Sequence, residues 1–483
     1  MLAVGAVLLA GVAAALTANR LGVPVLLAFL AIGMLLGSDG PGGIEFNDAH
    51  LTRTVGVVAL AIILFEGGLT TPWRAIRPVV VTASSLATFG VLVTSGITAL
   101  VAYLVFDNLS VQAALLIGSV VASTDAAAVF ATLRFTTLRH RLARVLEAES
   151  GVNDPMAVAL TIGFVEWLKH DDFGALDLGL LVAEQLAIGL AVGLAVGVLA
   201  AAALRRLPSS IAPFAPVASL ATAAVGYGLA DVVHGSGFLA VYIVGLWIGN
   251  TATPLRRSLV AFHEGTAFLA QIALFVVLGL FVFPSQLDSV VLPGLAVAFA
   301  LVFVARPVAV WLSTLFQGFE GREVAFLGWA GLRGAVPIVL ASFAAAEGVA
   351  ESGTIFHAVF FVVIVSTLLQ GPTLEPLAQR LELTTRAVTE YRPPLEVTAV
   401  DSLGGDLLEH AVLETSPIAG KHIRDLDLPR DSLVAVIMRG EEAIPPRGSM
   451  RIEPGDRLYV VSRAEARGEV LRLFERWAAA SEY

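Results

Sequence analysis

Hydrophobic runs of about 16 to 28 residues recur along the first ~375 residues, each long enough at about 1.5 Å per residue to cross a hydrocarbon layer of about 30 Å. Thirteen can be marked, at 2–18, 22–38, 53–70, 78–106, 111–133, 142–168, 178–205, 212–231, 236–251, 260–283, 289–315, 322–347 and 355–371. Charged residues make up 14% of the chain and hydrophobic ones 57%, whereas a soluble domain carries roughly 25% charge, so a single water-surrounded core is excluded. We expect an all-α polytopic membrane protein of about 13 transmembrane helices, followed by a small cytoplasmic α+β domain. A cleaved signal peptide is the rival reading of the first run, but no basic residue precedes it.

Lys and Arg bias loops to the cytoplasmic side. Arg20, Arg74, Arg77, Arg134, Arg139, Arg141, Arg144, Arg205, Arg206, Arg256, Arg257 and Arg322 fall in or beside one set of alternating loops, while Arg53 and Lys169 fall in the other. The expected orientation is N-terminus outside and C-terminus inside. A net charge of −10 without any basic run gives no reason to expect a nucleic-acid partner. With no cysteine, disulfides and thiolate metal sites are excluded.

Composition changes after Gly371-Pro372. Residues 373–394, with the Pro393-Pro394 pair, read as a short helix and a linker, so the expected division is a membrane domain over 1–372, a linker over 373–394 and a small domain over 395–475. In the last, Leu433–Met438 and Leu458–Val461 read as strands, and Ser416-Pro417 as the start of a helix of one to three turns.

Two polar stretches interrupt the oily segments: Ser123-Thr124-Asp125 in the fifth and Glu149-Ser150-Gly151-Val152-Asn153-Asp154-Pro155 in the sixth. A carboxylate at that depth costs on the order of 3 kcal/mol, so such residues usually mark an ion or proton path. On a helix Glu149, Ser150, Asn153 and Asp154 share one face, and Pro155 leaves the Gly151 carbonyl without its usual donor. Carboxylates, hydroxyls and carbonyls together suit a hard cation. Arg306 and Arg333 lie at similar depth in segments eleven and twelve, and a buried arginine needs a carboxylate. We expect Glu149 and Arg306 to form a packing ion pair, with Arg333 as the alternative partner. Segments five and twelve, the latter carrying Gly331-Leu332-Arg333-Gly334-Ala335-Val336-Pro337, are both expected to be interrupted helices, as in inverted-repeat transporters with a midplane site.

These motifs, with Phe65-Glu66-Gly67-Gly68-Leu69, resemble the monovalent cation:proton antiporters of the NhaP and CvrA type across all thirteen segments. The tail, with Ser416–Lys421 and Glu453–Leu458, resembles the TrkA-C (RCK-C) module, which commonly accompanies potassium transport and can bind small regulators. The chain stops soon after that module, and a further C-terminal domain of some relatives is not found in it. The resemblance implies Asp154 as central cation and proton ligand, with Asp125, the Thr124 carbonyl and Ser150 completing the shell and Glu66 reached through water. Asn153 stands where electrogenic relatives have a second aspartate, which implies electroneutral exchange. A homodimer in the plasma membrane of a prokaryote is also implied, with a six-helix core moving against a dimerisation domain and no cofactor beyond the transported K+ or Na+ and H+.

The expected mechanism is competition: a proton and a cation exclude one another at the same carboxylates, and a site that changes sides only when occupied exchanges one for the other. Potassium is favoured over sodium by the tail. A cation channel is disfavoured because Thr54-Val55-Gly56-Val57 is an incomplete filter motif, and an intramembrane enzyme because hydroxyls and Asn153 form a cation shell more naturally than an acid/base pair. His234, His263 and His357 are scattered singly and read as ordinary polar residues.

Overall fold

A computed structural model of the chain describes residues 5, 9–13, 25–107, 109–133, 136–206, 213–251, 253, 255–386, 405–412, 416–440, 442–463 and 466–479. They form two compact units, Met1–Val388 and Thr389–Tyr483.

The first unit is helical. Its helices are α1 (Val25–Leu36), α2 (Ala49–Thr70), α3 (Trp73–Val105), α4 (Val111–Ala122), α5 (Ala126–Thr132), α6 (His140–Lys169) and α7 (Ala175–Arg205). They continue as α8 (Ala215–Val232), α9 (Gly237–Gly249), α10 (Arg256–Phe281), α11 (Pro284–Thr314), α12 (Gly321–Trp329), α13 (Ala335–Ala346) and α14 (Ser352–Arg380). Among the described residues seven helices are long and apolar enough to cross a membrane, or eight if α4 and α5 count as one bent span. The twelve runs marked from 22–38 onward each coincide with one helix or a broken pair, while most of the first run, 2–18, lies outside the described residues. Leu104, Leu199, Leu292 and Phe299 project outward, as lipid-facing side chains must.

Polar side chains start several helices. Asp48, Ser110 and Ser236 each accept a hydrogen bond from a backbone N–H three residues on, at 2.9, 3.2 and 3.2 Å, which satisfies a donor the helix itself cannot. Proline does not stop the long helices. Pro155 lies inside α6, and Pro372 and Pro376 inside α14, none of which breaks.

Packing sorts the helices into two groups. In one, α2 and α9 approach so closely that a Cβ on Gly68 would lie 2.3 Å from the Tyr242 carbonyl and one on Gly245 2.3 Å from that of Phe65. Helices α1 and α10 meet in the same way through Gly33 and Gly279, and α7 and α8 pack on α9. In the other, α3, α4, α6, α11, α13 and α14 pack on one another. Its order along the chain repeats: a long helix with one π-helical turn (Leu86–Gly90 in α3, Leu301–Ala305 in α11), a broken helix (α4/α5, α12/α13), then a long helix (α6, α14).

The linker expected from residue 373 is partly ordered structure. Helix α14 continues to Arg380, and β2 (Thr384–Arg386) pairs antiparallel with β1 (Thr136–Leu138), so 373–386 belong to the helical unit. Leu374 and Ala378 are buried against it, which is why the charged Glu375 between them does not end the helix. Residues 387–394 lie outside the described residues.

The second unit is a four-stranded antiparallel sheet in the order β3 (Gly405–Ala411), β6 (Arg457–Arg463), β4 (Ser432–Arg439) and β5 (Glu442–Ile444), with helix α15 (Arg467–Ala479). Ile437, Leu458, Val460 and Val470 are buried in its core. The helix expected at Ser416-Pro417 is instead a turn. One bond, Ala419 N–H to the Ser416 carbonyl at 3.0 Å, forms before Gly420 takes φ +82° and gives its N–H to Ile452. Asp456 is buried and accepts from Arg439 Nε at 2.8 Å, Arg439 Nη2 at 2.9 Å and the Glu453 N–H at 2.8 Å. This hydrogen bonding holds the Arg439 pKa above its ordinary value.

Candidate functional site

Two unwound segments cross in the second helix group. Between α4 and α5, Ser123 and Asp125 leave helical geometry (ψ 141° and 103°), and the two helices meet at 48°. Asp125 restarts the chain as a helix by accepting the Ala128 N–H at 3.1 Å. Its own N–H donates to the Leu332 carbonyl, at 2.8 Å, in the unwound stretch between α12 and α13. Each break therefore satisfies part of the other. Gly334 permits the crossing, since a Cβ there would lie 2.1 Å from Asp125 Oδ2. From α14, Gln370 Nε2 donates to the Trp329 carbonyl at 2.9 Å and Thr367 Oγ1 to that of Arg333 at 3.1 Å. Those oxygens would otherwise stay unpaired in the interior.

Helix α6 runs alongside with its polar stretch intact. Asp154 is almost fully buried and accepts from Ser123 Oγ at 2.5 Å. Asn153 Nδ2 donates to Thr124 Oγ1 at 2.6 Å, and Ser150 Oγ lies 3.4 Å from the Ala126 N–H. The face expected to carry all four polar residues is thus divided. Ser150 and Asp154 line a cavity of about 360 Å³ that also reaches Asp125, Glu66, Thr70 and Tyr242. Asn153 and Glu149 turn away from it. Glu149 is instead paired with Arg306 through Nη1–Oε1 at 2.5 Å and Nη2–Oε2 at 2.9 Å, both residues being buried. Arg333 donates to the Gly331 carbonyl at 2.8 Å. A Cβ on Gly331 would lie 2.9 Å from Arg306 Nε and 3.0 Å from Arg333 Nη1, so the two guanidinium groups approach the same glycine.

Asp125, Asp154, Ser150 and Glu66, expected together, line one cavity, whereas Thr124 and Asn153, also expected in the site, are not among its lining residues. Ser123 was singled out only as part of its polar stretch, and Tyr242, Thr367 and Gln370 were not anticipated. Ser123 carried a signal, being contiguous with Thr124 and Asp125. The others sit singly in apolar helices and carried none. Tyr242 is seated by Gly151, where a Cβ would overlap its ring. His263 is buried elsewhere with Ser219 Oγ 2.7 Å from its Nε2, and His234 lines a different cavity. Among the described residues no group of three or more His, Cys, Asp or Glu could hold a metal ion.

The sequence and fold that carry these breaks and aspartates have relatives among known proteins. The family described as the transmembrane sodium/hydrogen exchanger matches residues 5–380. The chain belongs to that family. The TrkA-C domain matches residues 407–475. The K(+)/H(+) antiporter NhaP2 of Shewanella baltica (strain OS223) is 37% identical over 465 residues, covering 95% of this chain and 80% of that one. The K(+)/H(+) antiporter NhaP of Alkalimonas amylolytica is 40% identical over 448 residues, 91% and 77% of the two chains. Among solved structures, the sodium proton antiporter MjNhaP1 from Methanocaldococcus jannaschii at pH 8 superposes with a TM-score of 0.69 at 24% identity, over 79% of this chain and 99% of that one, and shares its fold. The chain is a multi-pass membrane protein of the NhaP family, a secondary antiporter of monovalent cations and protons and not an enzyme, with a C-terminal TrkA-C domain.

Proposed function

We propose that the chain exchanges potassium for protons without net charge movement, with Asp154 and Asp125 as the groups for which cation and proton compete. The observation that carries this reading is that carboxylates from two separate elements, α6 and the α4/α5 break, open into one cavity shared with Glu66 and Ser150. A cation there meets negative charge and hydroxyl oxygen, and a proton on Asp154 or Asp125 removes the charge that holds it. Thr124 and Asn153 would set the backbone by their mutual hydrogen bond, and the neutral Asn153 leaves Asp154 as the acid of that pair. Glu149, Arg306 and Arg333 would serve as a structural charge cluster behind the site.

Potassium is supported by the names of the relatives at 37% and 40% identity. Sodium is the second reading, supported by a Methanocaldococcus jannaschii relative, 27% identical, named as a probable Na(+)/H(+) antiporter. Within this proposal the chain has thirteen spans in two inverted halves, an outer N-terminus, a cytoplasmic C-terminus and a plasma-membrane location. It acts as a homodimer whose transport module, 1–372, is regulated through 395–475 by a small cytoplasmic ligand.

The test uses inside-out vesicles with an imposed pH gradient. KCl should collapse the gradient and NaCl should not. Collapse by NaCl alone would transfer the assignment to sodium, and collapse by neither would remove it.

A further inference from the structure

A second cavity, of about 580 Å³, opens at the end of the bundle where α2 begins and α6 ends. Its lining includes Arg53 and Val57 of α2, Val158 and Glu166 of α6, Glu184 of α7 and Phe343 of α13. On α6 its deepest residue, Val158, is four positions beyond Asp154, which lines the first cavity. On α2 Val57 belongs to the second cavity and Leu60 to the first. On both helices the two cavities are therefore separated by about one turn, roughly 5 Å.

Above that septum the two helix groups are tied together. Arg53 Nη1 of α2 lies 2.6 Å from Glu347 Oε1, just past α13, and Lys169 Nζ at the end of α6 lies 2.8 Å from Glu347 Oε2. The Arg53 guanidinium also sits over the Phe343 ring, 4.7 Å from its centroid. Lys169 and Glu347 belong to the group that carries the aspartates, whereas Arg53 belongs to the group packed through glycines. All three charged side chains are about one-third exposed, so water competes for them and the tie can break. The cavity itself is cation-attracting: among the described residues Glu166, Asp177, Glu184 and Asp231 line it, against Arg53.

We propose that this second cavity is the other entrance to the carboxylate site, and that the Arg53–Glu347 contact with Phe343 beneath it is the tie that closes that entrance. The proposal rests on the antiport reading, because exchange requires one site to be reached from two entrances that open in turn. Opening requires α2 to separate from α13 at this end, which uncovers Val158, buried at the cavity floor, and then Asp154 behind it. Lys169 stays with Glu347 and keeps its carboxylate partnered when Arg53 leaves.

The chain has no cysteine, so single thiols can be introduced without background. In reconstituted full-length protein, Val158→Cys should react slowly with a charged methanethiosulfonate, and Arg53→Gln in the same chain should raise the rate about tenfold. An unchanged rate would overturn the proposal. In a second arm, Arg53→Cys with Glu347→Cys is bridged by a short bifunctional methanethiosulfonate. Cation/proton exchange should stop on bridging and return with reductant, and full exchange by the bridged protein would also overturn the tie. Wild-type protein in the same vesicles separates the two ideas, since absence of exchange there counts against the antiport reading alone.

Discussion

The two broken helices interrupt their spans at the same crossing and do opposite things. Each leaves helical geometry for a short stretch beside small residues, and each donates or accepts the one hydrogen bond that joins Asp125 to Leu332. In α4/α5 the interruption presents an acid to a cavity, and that acid also caps the next helix. In α12/α13 it presents Arg333 and a row of carbonyls to the interior, which Thr367 and Gln370 of α14 satisfy. The same irregularity therefore supplies an acid to a cavity on one side and a hydrogen-bonded scaffold on the other.

The sharpest way to break this comparison is to remove charge from both sides in turn. Asp154→Asn and Asp125→Asn should each abolish cation-driven proton movement in vesicles while the purified protein keeps its melting temperature. Arg333→Gln should retain measurable exchange, and if it is as inactive as the aspartate variants in a folded protein, the division between chemistry and scaffold fails. Next in size is the ion pair behind the crossing. Arg306→Ala leaves Glu149 charged and unpaired in the interior, a loss of roughly 3 to 5 kcal/mol read as a lower melting temperature in detergent. The double variant with Glu149→Ala should recover much of it.

Gly334→Ala sharpens the contact between the breaks. The added methyl would occupy the place of Asp125 Oδ2, so exchange should fall more than stability does, because the displaced group is the acid. Measuring both on the same preparation distinguishes this from simple unfolding. The smallest expected effect belongs to Gln370→Leu, which unpairs the Trp329 carbonyl at a cost of about 1 to 3 kcal/mol and leaves cation preference unaltered, as comparison of KCl and NaCl in vesicles would register.

What the chain revealed in advance followed from whether a residue's cost could be seen locally. Asp125, Asp154, Glu149 and Arg306 are charges in oily segments, so their need for partners is visible without coordinates, and the Glu149–Arg306 pairing followed from depth. Gly331 and Gly334 signalled a break, but nothing local said that it would cross the other break at Leu332. Thr367 and Gln370 were illegible because a lone hydroxyl or amide in a span usually bonds within its own helix. The helix at Ser416-Pro417 was misread for the reverse reason: a favourable start does not show that Gly420 will turn the chain toward Ile452 after one bond. The continuation of α14 past Pro372 was hidden by charges whose apolar neighbours, Leu374 and Ala378, decide the matter.

The π-helical turn Leu301–Ala305 ends at Arg306, and its consequence is one of angular phase. A π turn holds one residue more than an α turn, and each residue of an α-helix advances the side-chain direction by about 100°. The bearing of Arg306 toward Glu149 therefore depends on an insertion of a single residue's winding upstream. Remove that residue and everything before it keeps its place, while the guanidinium swings by about a quarter turn away from Glu149.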